Sequence, residues 1–183
     1  YGKDAADAYN AGIRKGIRND KPVTGQYNVN DQGSGDMYPK PSNMLHSIRH
    51  GLDKDDLFRR ILRGINKSFY HQIVRSSQVE NYISGKTKFN YSKVFDQYLH
   101  TTQIPIFEYY FSKDQKIVNY RYTNCIPGFN LPLTLKSKVG KLKIYPSSDW
   151  KNTKLKKKHM DLFDKTAIEK MYYISVINAG NFH

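Results

Sequence analysis

The spacing of apolar residues changes once along the chain, near residue 102. Before that point apolar side chains recur about every 3.6 residues, which is typical of amphipathic helices. After Gln103 they alternate with polar residues or form short runs, which is typical of strands. The sequence therefore predicts an α+β fold, with an N-terminal antiparallel helical segment over residues 1–102 and a small antiparallel β-sandwich over residues 103–183.

Five helices are predicted in the first part. In the first, from Asp4 to Arg18, small and apolar residues share one face and Asp7 lies on the opposite, polar face. Pro22 follows closely and forbids continuation, and a long loop rich in Gly, Asn and Asp comes next. Asp53 is interpreted as the N-cap of the third helix. The other four helices are predicted over residues 40–51, 53–69, 77–84 and 91–99.

Five short strands are predicted in the second part. Turn signals such as Pro127-Gly128 separate them. Several strands this short in about 80 residues, with no helical signal of comparable strength, favour a small antiparallel sandwich. The predicted strands cover residues 104–111, 117–122, 131–135, 142–145 and 171–177.

The charge of the chain suggests a second class of function. Thirty Lys and Arg residues outnumber sixteen Asp and Glu residues, which gives a formal charge of +14. The basic run Lys154–Lys158 could bind nucleic acid or another acidic polymer, and a non-enzymatic binding module is the alternative hypothesis. No RNP-like, zinc-finger or Gly-rich phosphate motif accompanies this run, so a solvated basic loop is the favoured interpretation.

Other features exclude several classes of protein. The single cysteine, Cys125, excludes an intrachain disulfide and a multi-cysteine metal site. No apolar run approaches the roughly 20 residues that a transmembrane helix needs. The chain begins with Tyr1, without an initiator Met or a signal peptide, which we interpret as the start of a piece of a longer protein.

Two histidines have the spacing of metal ligands on a helix. His46 and His50 are four residues apart and would share one face. A zinc peptidase helix also has Glu directly after its first His, where this chain has Ser47, and a third acidic ligand some 20 residues downstream is missing. The sequence therefore favours packing or surface histidines, and no metal ligand is assigned in this chain.

A tyrosine near the end of the Gly-rich loop is the remaining candidate. Tyr38 comes just before a predicted helix, where its phenol could donate a hydrogen bond into a neighbouring cleft. The segment Asp36–His46 resembles the one in aminopeptidase N-like zinc metallopeptidases, the gluzincins, in which Tyr-x-Lys-Gly opens a helix. Further blocks are similar to the compact bacterial branch of that family: residues 1–6, 19–22, 61–71, 94–105, 123–125 and 128–132.

The resemblance implies a C-terminal portion of such an enzyme, which would remove N-terminal residues from peptide substrates. The family's His-Glu-x-x-His motif and the third zinc ligand would lie upstream of Tyr1, in a missing N-terminal part. Zinc is thus implied for the full-length parent, none is expected in this chain alone, and the chain alone is predicted to be inactive. The resemblance also fits a periplasmic or secreted location.

By resemblance, Tyr38 is the one site residue present: in the family this tyrosine donates a hydrogen bond to the oxyanion of the reacting peptide carbonyl. Pro39 precedes Lys40 here, and Pro41 stands where the family usually has Gly. Proline fixes φ and restricts the preceding residue, so the helix is expected to survive this change better than the aim of Tyr38.

Overall fold

The computed structural model describes residues 2–138 and 140–182, and it confirms the α+β class with helices first and small sheets after them. The helices are amphipathic segments of about two to four turns, as their sequence periodicity indicates. Their bounds are α1 Lys3–Arg14, α2 Pro39–Leu52, α3 Asp55–Ser68, α4 Ser76–Thr87, α5 Ser92–His100 and α6 Lys165–Met171.

The strands form two sheets. A four-stranded sheet has the order β5-β2-β1-β6, in which β1–β2 and β2–β5 are antiparallel and β1–β6 is parallel. A two-stranded antiparallel sheet pairs β3 with β4. The bounds are β1 Ile106–Phe111, β2 Ile117–Thr123, β3 Leu133–Ser137, β4 Gly140–Ile144, β5 Lys151–Lys154 and β6 Ser175–Asn178.

A strand and an α-helix between β4 and β6 are not predicted by the sequence pattern. The strand β5 is four residues of mostly polar composition, and it forms because its backbone pairs with β2 at the edge of the sheet. The helix α6 is only seven residues long, and Met171, predicted to begin a strand, ends it. Asp164 caps this helix through a 2.6 Å hydrogen bond from the backbone N–H of Ala167.

Asp53 does not have the role expected of it. It follows the last residue of α2 in the left-handed conformation, with φ 55°, and Lys54 rather than Asp53 precedes α3. Its carboxylate instead contacts the ammonium groups of Lys136 and Lys141 on β3 and β4. Asp53 therefore joins the end of α2 to the two-stranded sheet.

The buried apolar core continues across the predicted boundary at residue 102. It includes Ile48 and Tyr98 from the helices as well as Phe107 and Tyr122 from the sheet. The Tyr98 hydroxyl donates a 2.6 Å hydrogen bond to the carbonyl of Tyr173, which lies just before β6. Helices and strands thus share one core, whereas the division into two domains stays a prediction. Within the described ranges, no helix has the length and apolarity needed to cross a membrane.

Candidate functional site

Tyr38 lies at the junction between the long loop and α2. It directly precedes Pro39, the first residue of α2, and follows a single 3-10 turn over Gly35–Met37. The residue is 80% exposed, unlike most of its neighbours in the turn and the helix. The structure therefore presents the phenol of Tyr38 to the surroundings at the N-terminal end of α2.

The turn before Tyr38 is fixed by a buried carboxylate. Asp36 accepts a 2.7 Å hydrogen bond from the backbone N–H of Asn19 and two of 3.1 Å from that of Arg18. The backbone N–H of Asp36 donates to the Ser34 hydroxyl at 3.1 Å, and Ser34 donates to Asp20 at 2.7 Å. These bonds attach the turn to the segment that follows α1.

A buried lysine fixes the segment on the other side of Tyr38. Lys40 is fully buried, and its ammonium donates a 2.7 Å hydrogen bond to the carbonyl of Thr101, just after α5. Burial lowers the pKa of Lys40, and the negative charge of Asp36 partly opposes this shift. Tyr38 is thus a largely exposed residue between two buried charged groups.

Both prolines are accommodated within the first turn of α2. Pro39 and Pro41 stand at positions whose backbone N–H would have no partner within the helix, so proline removes no helical hydrogen bond there. The first such bond is donated by the N–H of Ser42 to the carbonyl of Tyr38, at 3.2 Å. The expectation that the helix survives these prolines is therefore met, while the aim of Tyr38 toward a substrate stays a prediction.

A second cluster lies farther along α2. His46 and His50 are both buried, and their Nε2 atoms are 3.2 Å apart. Asp7, from α1, places its Oδ1 atom 2.9 Å from Nε2 of His50 and 3.2 Å from Nε2 of His46. In the part of the chain described by the structure, this is the group of His, Cys, Asp and Glu side chains with the geometry to hold a metal ion.

Burial sets the charge state of this cluster. Removal from water lowers the pKa of His46, and the neighbouring His50 lowers it further, while Asp7 opposes the shift. Burial likewise lowers the pKa of His50, again against the attraction of Asp7. Burial thus favours the neutral form of both imidazoles, which is the form in which histidine binds metal ions.

The sequence pattern does not identify Asp7, because α1 packs with its polar face inward. Asp7 is the buried residue of this helix, and Arg14 donates to Asn43 of α2 at 2.8 Å and to the Tyr172 carbonyl at 2.8 Å. The opposite face is exposed, including Tyr9 at 67%. The apolar face of an amphipathic helix normally packs inward, so the sequence pattern predicts that Asp7 is exposed.

The basic run lies at the edge of the four-stranded sheet. Lys154 ends the edge strand β5, and Lys156 is exposed just beyond it. The side chains of Lys157 and Lys158 lie outside the described residues. Lysines on an edge strand discourage pairing with other chains, which is a sufficient physical role for Lys154.

No protein-family model matches the chain, and no curated protein matches it.

Proposed function

We propose that this chain is the C-terminal part of a zinc-dependent aminopeptidase that removes N-terminal residues from peptides, and that Tyr38 donates a hydrogen bond to the oxyanion. The observation that carries the proposal is the exposed phenol of Tyr38 held between two buried charged residues, Asp36 and Lys40. The sequence similarity described above supplies the reaction, and this arrangement supports the role of the tyrosine.

Oxyanion stabilisation requires a donor that is already in place before charge develops. A donor that must be immobilised during the reaction contributes less, because its reorganisation opposes the gain. Asp36 and Lys40 are both removed from water, which is costly for charged groups. Their hydrogen bonds tie the backbone on either side of Tyr38 to the segment after α1 and to Thr101. The loss of solvation at Asp36 and Lys40 is explained if the segment has to hold Tyr38 in one position.

The zinc ion of such an enzyme would activate water and polarise the peptide carbonyl when bound. The residues described here do not form the catalytic site of such a peptidase: Asp7, His46 and His50 are not a His-Glu-x-x-His set with a downstream Glu, and no Glu is available among them as general base. The ligands and the general base are therefore assigned to the missing upstream part. This chain contributes the hydrogen-bond donor and its support.

The exposed face of α1 is consistent with contact to that upstream part. Tyr9 is 67% exposed, and with Gly2, Ala5, Ala6 and Asn10 it lines a largely apolar cleft of about 390 Å³. An apolar helix face of this kind normally packs against another element. In the proposed enzyme the upstream part covers it.

The decisive experiment replaces Tyr38 by Phe in the longer protein that contains the zinc-binding part. We expect kcat for an aminoacyl fluorogenic substrate to fall about 100- to 1000-fold, the effect of removing one oxyanion donor, with little change in KM. Tyr27→Phe is the matched control, since Tyr27 lies in the preceding loop and is 89% exposed. Equal turnover of the Tyr38→Phe and Tyr27→Phe variants would show that the assigned role is wrong.

The isolated chain provides a separate test. We expect no zinc-dependent hydrolysis of the same substrate by the purified chain of 183 residues, because the proposed ligands and general base belong to the upstream part. Hydrolysis that depends on added zinc and is abolished by a chelator would contradict the proposal.

A further inference from the structure

Three potential ligand atoms meet at one point between α1 and α2. Asp7 Oδ1, His46 Nε2 and His50 Nε2 form a nearly equilateral triangle with sides of 2.9, 3.2 and 3.2 Å. The two histidines come from successive turns of α2, and the carboxylate comes from α1. All three side chains are at least nine-tenths buried.

No placement of protons satisfies all three sides of this triangle. If both Nε2 atoms carry a hydrogen, each can donate to Asp7, but the two N–H groups then face each other across 3.2 Å. If only one carries a hydrogen, the bare nitrogen of the other presents its lone pair to a carboxylate oxygen. A cation removes this conflict, because it accepts a lone pair from every corner.

We infer that Asp7, His46 and His50 form a binding site for a divalent transition-metal ion of the Zn²⁺ type, which joins α1 to α2. Tetrahedral zinc with bonds of about 2.0 to 2.1 Å places its ligand atoms about 3.3 to 3.4 Å apart, close to the separations found here. Two imidazoles and one carboxylate are ligands that Zn²⁺ accepts, and they leave a fourth position for water.

The charges around the site are compatible with a bound cation. Arg49 and Lys3 both pair with Asp55, at 2.8 and 3.5 Å, so their positive charges are partly neutralised. Arg14 points its guanidinium at Asn43 and at backbone carbonyls. These cations reduce the attraction for metal, and the carboxylate of Asp7 opposes their effect within the cluster.

The site is separate from the proposed role of Tyr38. His46 lies eight residues beyond Tyr38 along α2, about 12 Å at the rise of an α-helix, and the cluster is closed to a peptide because it is buried. The metal is therefore assigned a structural role: it holds the polar face of α1 against α2. The inference is tested by metal binding alone and the aminopeptidase proposal by peptide hydrolysis. Failure of either one therefore leaves the other unaffected.

The test is a titration of the metal-free chain with ZnCl₂ by calorimetry, and with Co²⁺ by its visible absorption. We expect one ion to bind per chain. The affinity for Zn²⁺ should be at least about tenfold weaker in Asp7→Asn, His46→Gln and His50→Gln, because losing only a hydrogen-bond partner of a metal ligand already weakens metal binding by that factor. His71→Asn is the control: His71 is exposed and has φ 52°, which Asn tolerates, and its affinity should match that of the original chain.

Because these side chains are buried, each variant is first checked for folding by circular dichroism. If a variant fails to fold, a measurement on the unaltered chain still tests the inference. At one equivalent of Zn²⁺, the Nε2 resonances of His46 and His50 should shift in nuclear magnetic resonance spectra. Those of the other four histidines should stay unchanged. Absence of binding at one equivalent, shifts confined to other histidines, or unchanged affinity in folded Asp7→Asn would overturn the inference.

Discussion

The substitution Asp36→Asn tests whether the turn before Tyr38 is held by the buried carboxylate. Asp36 is 3% exposed and accepts hydrogen bonds from two backbone N–H groups, those of Arg18 and Asn19. The amide of Asn has one acceptor oxygen, and its NH₂ group would face a donor. With its oxygen at the position of Oδ2, Asn could still accept from both N–H groups, but without the negative charge, and its NH₂ group would lie 3.1 Å from the backbone nitrogen of Arg18.

The magnitude follows from these contacts. A hydrogen bond to a charged group contributes about 1.5 to 3 kcal/mol, against about 0.5 to 1.5 kcal/mol for a neutral one. Since two N–H groups lose a charged acceptor, we expect Asp36→Asn to lower the free energy of unfolding by about 2 to 3 kcal/mol. That is a large fraction of the roughly 5 to 15 kcal/mol that stabilises a typical domain.

Urea unfolding of both proteins measures this difference from the shift in midpoint, provided that the slope is unchanged. Asp149→Asn is the matched control, because Asp149 is exposed, and it should stay within about 0.5 kcal/mol of the original chain. Faster hydrogen exchange at the N–H groups of Arg18 and Asn19 in the Asp36→Asn variant should accompany the loss. A destabilisation no larger than that of the control would refute the reasoning.

Two further predictions concern packing and pH. Gly51→Ala should destabilise the chain by about 1 to 3 kcal/mol in thermal unfolding, because the new Cβ would lie 2.6 Å from the carbonyl oxygen of Pro132. In contrast, Gly85→Ala in α4 should stabilise it by about 0.5 to 1 kcal/mol, since nothing lies within 4 Å; equal effects would contradict the clash. The hydrogen bond from Arg49 lowers the pKa of Asp55 to about 2, below its ordinary 3.8, so its contribution is complete above pH 4 and is lost as the pH falls toward 2. The pKa shift corresponds to about 2.4 kcal/mol of stability, and solvent screening reduces this to about 1 kcal/mol because the Asp55 side chain is 36% exposed. If the free energy of unfolding depended on acid pH in the same way in Asp55→Asn, this prediction would be contradicted.

The helices α1 to α5 were predictable because their signal is local. Their apolar residues recur within a few turns, and the predicted bounds differ from the structure by only a few residues. Pairing in the sheet depends instead on distant residues. The parallel contact of β6 with β1 joins residues 69 apart, as in Ile106 opposite Ser175, and no local pattern encodes it. The same reason explains why the polar strand β5 was missed.

The candidate sites divide in the same way. Tyr38 could be found because a short contiguous segment carries both the similarity and the start of a helix. The site formed by Asp7 with His46 and His50 could not, because Asp7 lies 43 residues before His50 and on the polar face of its own helix. The direction in which that face points is a property of the tertiary structure. Spacing rules that look for a third ligand downstream could not identify one that lies upstream.

The buried polar groups are concentrated at the junction of α1, the long loop and α2, where both proposed sites lie. Of the ten buried polar residues found in the described ranges, eight lie between Asp7 and His50, and only Gln97 and Thr134 lie elsewhere. A core that only had to be stable could use apolar residues there, because a buried charge gains less from its partner than it loses in solvation. Local departures from good packing chemistry are expected where function requires them. Lys40, His46 and His50 are buried on α2, which begins directly after the exposed Tyr38. The loss of solvation of these polar groups therefore destabilises the same helix that follows the proposed donor.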